Sequence, residues 1–106
     1  MILNKLRTAT TLRQKEWDPT DQLTLEYRGN ELAGETGEAC NVIKKLTRER
    51  LGLVGSIATI KDLADELADV VICADLVALK AGIDLEKAVK EKFNYTSKKY
   101  GLNTTI

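Results

Sequence analysis

The chain contains no histidine. That absence excludes imidazole as general base, as partner of a Ser or Cys nucleophile, and as metal ligand, so catalysis would have to use carboxylates, lysines, hydroxyls or metal-activated water. Pro19 is the only proline, and aromatic residues make up 5% of the 106 residues. Neither charge dominates, because sixteen basic residues balance sixteen acidic ones. A basic field for a nucleic-acid polymer is therefore missing, and so is an acidic tail. Cysteine occurs twice, at Cys40 and Cys73, without CxxC spacing. The expectation is two buried free thiols in a reducing cytoplasm. The longest apolar-rich run, Val70 to Leu79, is interrupted by Asp75 and is too short to cross a bilayer. Met1 to Thr11 lacks the apolar core of a signal peptide. A cytoplasmic protein without membrane contact is expected, folded as a single domain over residues 1–106.

What the chain does have is a repeated arrangement of acids. Glu31, Glu35 and Glu38 are spaced i, i+4, i+7, and so are Asp62, Glu66 and Asp69. At about 100° per residue each set falls within roughly 60° on one helix face. Like charges at that spacing destabilise an isolated helix by a few tenths of a kcal/mol per pair. Two such stripes facing one another would repel unless a divalent cation lay between them. Clustered carboxylate oxygens suit Mg²⁺ or Mn²⁺, and Mg²⁺ commonly arrives with phosphates.

Helical spacing places these acids. A first helix is expected over about residues 2–15, with a connection through Trp17 to Asp21 where Asp18-Pro19 marks a break. A second runs from about Leu23 to Arg50, with Leu32, Ala39, Ile43 and Leu46 beside the acidic stripe. Gly29, Gly34 and Gly37 weaken it by about 1 kcal/mol each relative to Ala, which suggests close approach of a helix or a phosphate. Gly52 to Ser56 forms the next break. Thr59 is a plausible N-cap for a third helix, about Ile60 to Lys80, with Asp62 at the third position and Gly82 past its end. Its second half is apolar on nearly every side, so it needs cover on every side. Asp84 caps a fourth helix, about Leu85 to Lys99. Nothing alternates with period two. The expected fold is an all-α bundle of four-helix type whose core is completed by oligomerisation, as a homodimer or homotetramer.

Glu35-Thr-Gly-Glu38, followed by Glu66-Leu-Ala-Asp69, resembles the ExxE…ExxD signature of the MazG-like all-α nucleoside triphosphate pyrophosphohydrolases. The surrounding segments agree: Glu31-Leu-Ala-Gly-Glu35, Asp65-Glu66-Leu-Ala-Asp69-Val-Val, Gly82-Ile-Asp-Leu-Glu86 and Glu91-Lys-Phe-Asn94. The resemblance extends over roughly residues 12 to 102. Many relatives carry adjacent glutamates where this chain has Gly34-Glu35, a departure for which Glu31, one turn earlier, is the candidate substitute.

The resemblance implies Mg²⁺-dependent hydrolysis of (deoxy)nucleoside triphosphates between the α- and β-phosphates, giving a nucleoside monophosphate and pyrophosphate. Mn²⁺ can replace Mg²⁺ in such a site. Glu35, Glu38, Glu66 and Asp69 would be the metal ligands, joined by Glu31, with Glu35 or Glu38 also serving as base. Lys92 and Lys98 are candidates for phosphate contacts and Asn94 for a phosphate or sugar hydrogen bond. Trp17 could stack on a base, which leans toward purine deoxynucleotides, and Asn30 could read a base or sugar edge. Lys44, Lys45 and Arg48 are either solvated charges or phosphate contacts from a neighbouring subunit. Two alternatives stand beside this reading: a phosphoribosyl-ATP or dUTP/dCTP-type pyrophosphatase of the same fold, and a non-enzymatic helical oligomerisation module.

Overall fold

The structure is a computed structural model that describes residues 1–106. It contains four helices and no strand: α1 (Ile2–Trp17), α2 (Leu25–Arg50), α3 (Ile60–Lys80) and α4 (Leu85–Lys99). The sequence-based boundaries agree within two residues at every end. The all-α expectation therefore holds.

Local chemistry sets the ends. At the start of α3, the Thr59 hydroxyl accepts from the Asp62 amide at 3.1 Å, while the Asp62 carboxylate accepts from the Thr59 amide at 2.8 Å. This capping box satisfies two otherwise orphaned donors. Asp62 is thereby committed to the helix end rather than to a stripe, and those hydrogen bonds hold its carboxyl below the usual range. The helix stops where Gly82 takes a φ of +71°, a conformation that costs other residues a steric clash. The Ile83 amide then donates back to the Ala78 carbonyl at 2.8 Å.

Before α2, Asp18 is buried and its carboxylate accepts from the amides of Gln22 and Leu23 at 2.9 and 3.1 Å. Those backbone donors hold its carboxyl below the usual range. They also pin the Asp-Pro break between α1 and α2. Trp17 closes α1 rather than lying in the connection.

α2 and α3 form the principal pairing, an antiparallel hairpin, with α1 laid against α3 and α4 touching α1. The buried apolar residues are few: Ala39, Val42, Cys73, Leu76 and Ala78. Val42, not Ile43, enters the core, and Ile43 remains 47% exposed. Val42 lies about 60° from Ala39 around the helix, on its acidic side, whereas the far side of the apolar arc faces no helix of this chain. Cys40, one residue beyond Ala39, is exposed, so only Cys73 matches the expectation of a buried thiol. Burial, helped by the charges of Glu31, Glu35 and Asp69, pushes the Cys73 thiol up.

Asp75 is the most enclosed side chain, with no exposure. Its Oδ1 accepts from Nη2 and Nε of Arg7 at 2.9 and 3.1 Å, which fixes α1 on α3. A carboxylate at that depth is tolerated only with such a partner. Leu67 and Val71 on α3 and Val89 and Phe93 on α4 remain exposed. The radius of gyration is 17.0 Å, against about 13 Å for a compact chain of this size. One subunit is thus a thin slab, 22 Å deep, with apolar surface on its faces.

Candidate active site

The antiparallel α2–α3 pairing brings the acids together. Carboxylate oxygens of Glu35, Glu38 and Glu66 lie within 4.8 Å of one another. Asp69, one turn past Glu66, is outside that tight set, yet its charge acts on both Glu35 and Glu66. None of these four acids belongs to any of the chain's ion pairs. Burial, then the charges of Glu38 and Asp69, raises the Glu35 carboxyl above its usual value. Burial, then the hydrogen bond and charge of Glu38, raises Glu66 likewise.

One oxygen each of Glu35 and Glu66 is shut off from solvent with no hydrogen-bond partner. Buried acceptors without donors are costly, and this donor set is all carboxylate oxygen. The residues therefore fit a hard divalent cation of the Mg²⁺ or Mn²⁺ type.

Glu31 does not join the cluster. It accepts from Nη1 of Arg28 at 2.7 Å, and that arginine is only 3% exposed and also donates to Gln14. The ion pair satisfies Glu31 without a metal, which removes the electrostatic reason for placing it among the ligands. Asn30 lies exposed on α2 one turn before the acids. The open space around Gly29, Gly34 and Gly37 shows that no helix of the same chain approaches them. Close packing within the subunit is thus not their reason.

The α4 residues lie elsewhere. α4 rests on α1 instead of the acidic pair, and no α4 group acts on Glu35 or Glu66. The Lys92 ammonium sits 5.2 Å from the Tyr95 ring centre, and Lys98 is exposed in the last helical turn. Asn94 is engaged at both ends of its amide: Nδ2 donates to the Ile106 carbonyl at 2.9 Å and Oδ1 accepts from the Ile106 amide at 2.8 Å. A sequence reading cannot foresee that clamp, because its partner is backbone. Trp17 is 57% exposed with the Arg13 guanidinium 4.9 Å from its ring centre. Within one chain, then, the acids meet while the candidate phosphate and base contacts do not reach them.

Sequence reasoning missed Arg28 and Asp75. Asp75 had a legible signal, a lone acid within the apolar half of α3, which requires a buried cation. Arg28 had none, since arginine in a first helical turn is ordinarily solvated.

No helix is long and apolar enough to cross a membrane. No individual curated protein and no solved structure matches the chain. The family described as MazG nucleotide pyrophosphohydrolase domain matches it over residues 23–100, a span that holds α2, α3, α4 and all four clustered acids. On that match and this all-helical architecture, the chain belongs to the MazG nucleotide pyrophosphohydrolase family.

Proposed function

We propose that this protein hydrolyses (deoxy)nucleoside triphosphates between the α- and β-phosphates in a Mg²⁺-dependent reaction, releasing a nucleoside monophosphate and pyrophosphate. The observation that carries this reading is the set of unpaired carboxylates at Glu35, Glu38 and Glu66, adjoined by Asp69, inside a chain of this family. Glu35, Glu38, Glu66 and Asp69 are the proposed ligands. When bound, the divalent ion supplies charge neutralisation for the triphosphate and acidifies a water. Glu35 and Glu38 line the site as proton acceptors for the attacking water, and Glu66 and Asp69 hold the opposing side from α3. Positioning and electrostatics supply most of the acceleration in phosphoryl chemistry, so the rigid α2–α3 pairing is the main contribution of the fold.

Completion of the site is proposed to come from a second copy. Lys92 and Lys98 would contact phosphates across a subunit interface, in a homodimer or homotetramer that also covers the exposed apolar residues of α3 and α4. Asn94 could join them only after releasing Ile106. Asn30 is exposed on α2 and is proposed to meet a sugar or base edge. Exposed Trp17, with Arg13 over one face, offers a large surface for a stacked base and supports a lean toward purines.

The test is pyrophosphate release across a panel of common triphosphates, with Mg²⁺ and with EDTA. Glu38→Gln and Asp69→Asn should each cut turnover by at least about a hundredfold while leaving helicity and assembly size unchanged. Unchanged turnover in both variants would refute the site.

A further inference from the structure

The acid cluster lies midway along α2, and the cations on its two sides differ in kind. Toward the N-terminus of α2, the cations of α2 and α3 are already paired, whereas Lys15 of α1 is not. Arg28 is paired with Glu31 at 2.7 Å, and Lys80 with Asp21 at 3.0 Å. Toward the α2–α3 connection, Lys45 and Arg48 take part in none of the chain's ion pairs. The charge of Lys45 acts on Asp62, whose Oδ2 is engaged in the capping box.

Lys45 is seven residues past Glu38, so it falls on the same edge of the helix about 10 Å further along the axis. It is half-buried, at the rim of the α2–α3 seam. Arg48 lies under the connection. The Arg48 guanidinium lies against Gly55, where a methyl group would meet its Cζ at 2.8 Å. Arg48 Nε is enclosed and meets no acceptor. An unpaired cation with a donor unsatisfied is suited to a multivalent anion.

At the other end a cavity of about 450 Å³ opens between α1, the Asp-Pro connection and the end of α3. Gln14, Asp18, Arg28, Leu76 and Lys80 are among its walls. Of its charged groups, Asp18 is held by backbone amides and Arg28 and Lys80 by carboxylates, while Lys15 belongs to none of the chain's ion pairs. With one unpaired cation here against two at the connection, this end is the weaker attractor for a multivalent anion.

We infer that Lys45 and Arg48 form the pyrophosphate side of the site. The substrate then lies along α2 with its terminal phosphates toward the α2–α3 connection and its nucleoside toward the cavity at α1. This polarity rests on the triphosphate reading above and assigns these two residues to the same subunit as the acids.

The experiment measures binding of inorganic pyrophosphate and of a nucleoside monophosphate, each with Mg²⁺, by calorimetry on the full chain. Lys45→Met and Arg48→Met should each weaken pyrophosphate binding roughly tenfold, as loss of one charge-assisted contact does, and alter monophosphate binding by less than about twofold. Lys45→Arg keeps the charge and should retain pyrophosphate binding, which separates loss of contact from loss of fold. Unchanged pyrophosphate affinity in both Met variants, or a loss confined to the monophosphate, overturns the inference. Because the readout needs no turnover, it is distinct from the hydrolysis assay: an active enzyme whose Met variants bind pyrophosphate normally keeps the function and loses the polarity.

Discussion

Glu66 and Glu35 show what the site costs the metal-free chain. Each carboxyl is raised in the folded state above its ordinary value of 4.5, first by burial and then by neighbouring acids. A raised folded value means that the folded chain holds the proton more tightly than the unfolded chain. Their contribution to stability is therefore complete below about pH 4.5 and is lost as pH rises through the folded values. Asp18, Asp62 and Glu26 are lowered, so their contribution is lost on the acid side, as pH falls below about 4. In EDTA the melting temperature should accordingly rise as the pH is lowered through the folded values of Glu35 and Glu66 toward about 4.5. Glu66→Gln removes a charge from the cluster and should melt higher than the parent in EDTA at about pH 8. It should also lose most of the stabilisation that Mg²⁺ gives the parent. A lower melting point for Glu66→Gln in EDTA would show that some donor already satisfies this carboxylate.

At the scale of elements, α1 is held to α3 by one buried ion pair. Arg7→Met leaves Asp75 enclosed without its cation and should destabilise the chain by about 3–5 kcal/mol, read from urea melts. Combining it with Asp75→Leu should recover most of that loss, since an apolar pair of similar volume avoids the desolvation penalty. Equal destabilisation in the single and double variants would mean that the apolar replacements pack badly. The elements themselves were readable from local rules. Thr59 with Asp62, and Gly82 past Lys80, announce the ends of α3 through hydrogen bonds to near neighbours. The acid cluster was readable because i, i+4, i+7 spacing survives into the folded helix. Interactions between residues far apart in sequence were not. Arg7 with Asp75, Asn94 with Ile106, and Arg28 between Gln14 and Glu31 depend on how helices approach one another, which periodicity does not encode. Ile43 was misplaced for the same reason: its spacing is that of a core residue, but no helix of this chain lies over it.

The whole molecule is open for its length. A radius of gyration of 17.0 Å and exposed Leu67, Val71, Val89 and Phe93 describe half of a core. Sedimentation at micromolar concentration should give a homodimer or homotetramer, and the melting temperature should rise with protein concentration, as subunit association requires. A compact monomer with a concentration-independent melt would contradict this. The connectivity carries a further consequence. The three clustered acids and the adjoining Asp69 lie within residues 35–69, on two helices joined by one short connection. The ring of oxygens thus closes locally, with little chain entropy lost in forming it. A divalent ion present during synthesis could cross-link this hairpin as soon as α3 emerges, before α4 is made. Under the proposed function, chelation would then slow the first step of maturation as well as hydrolysis.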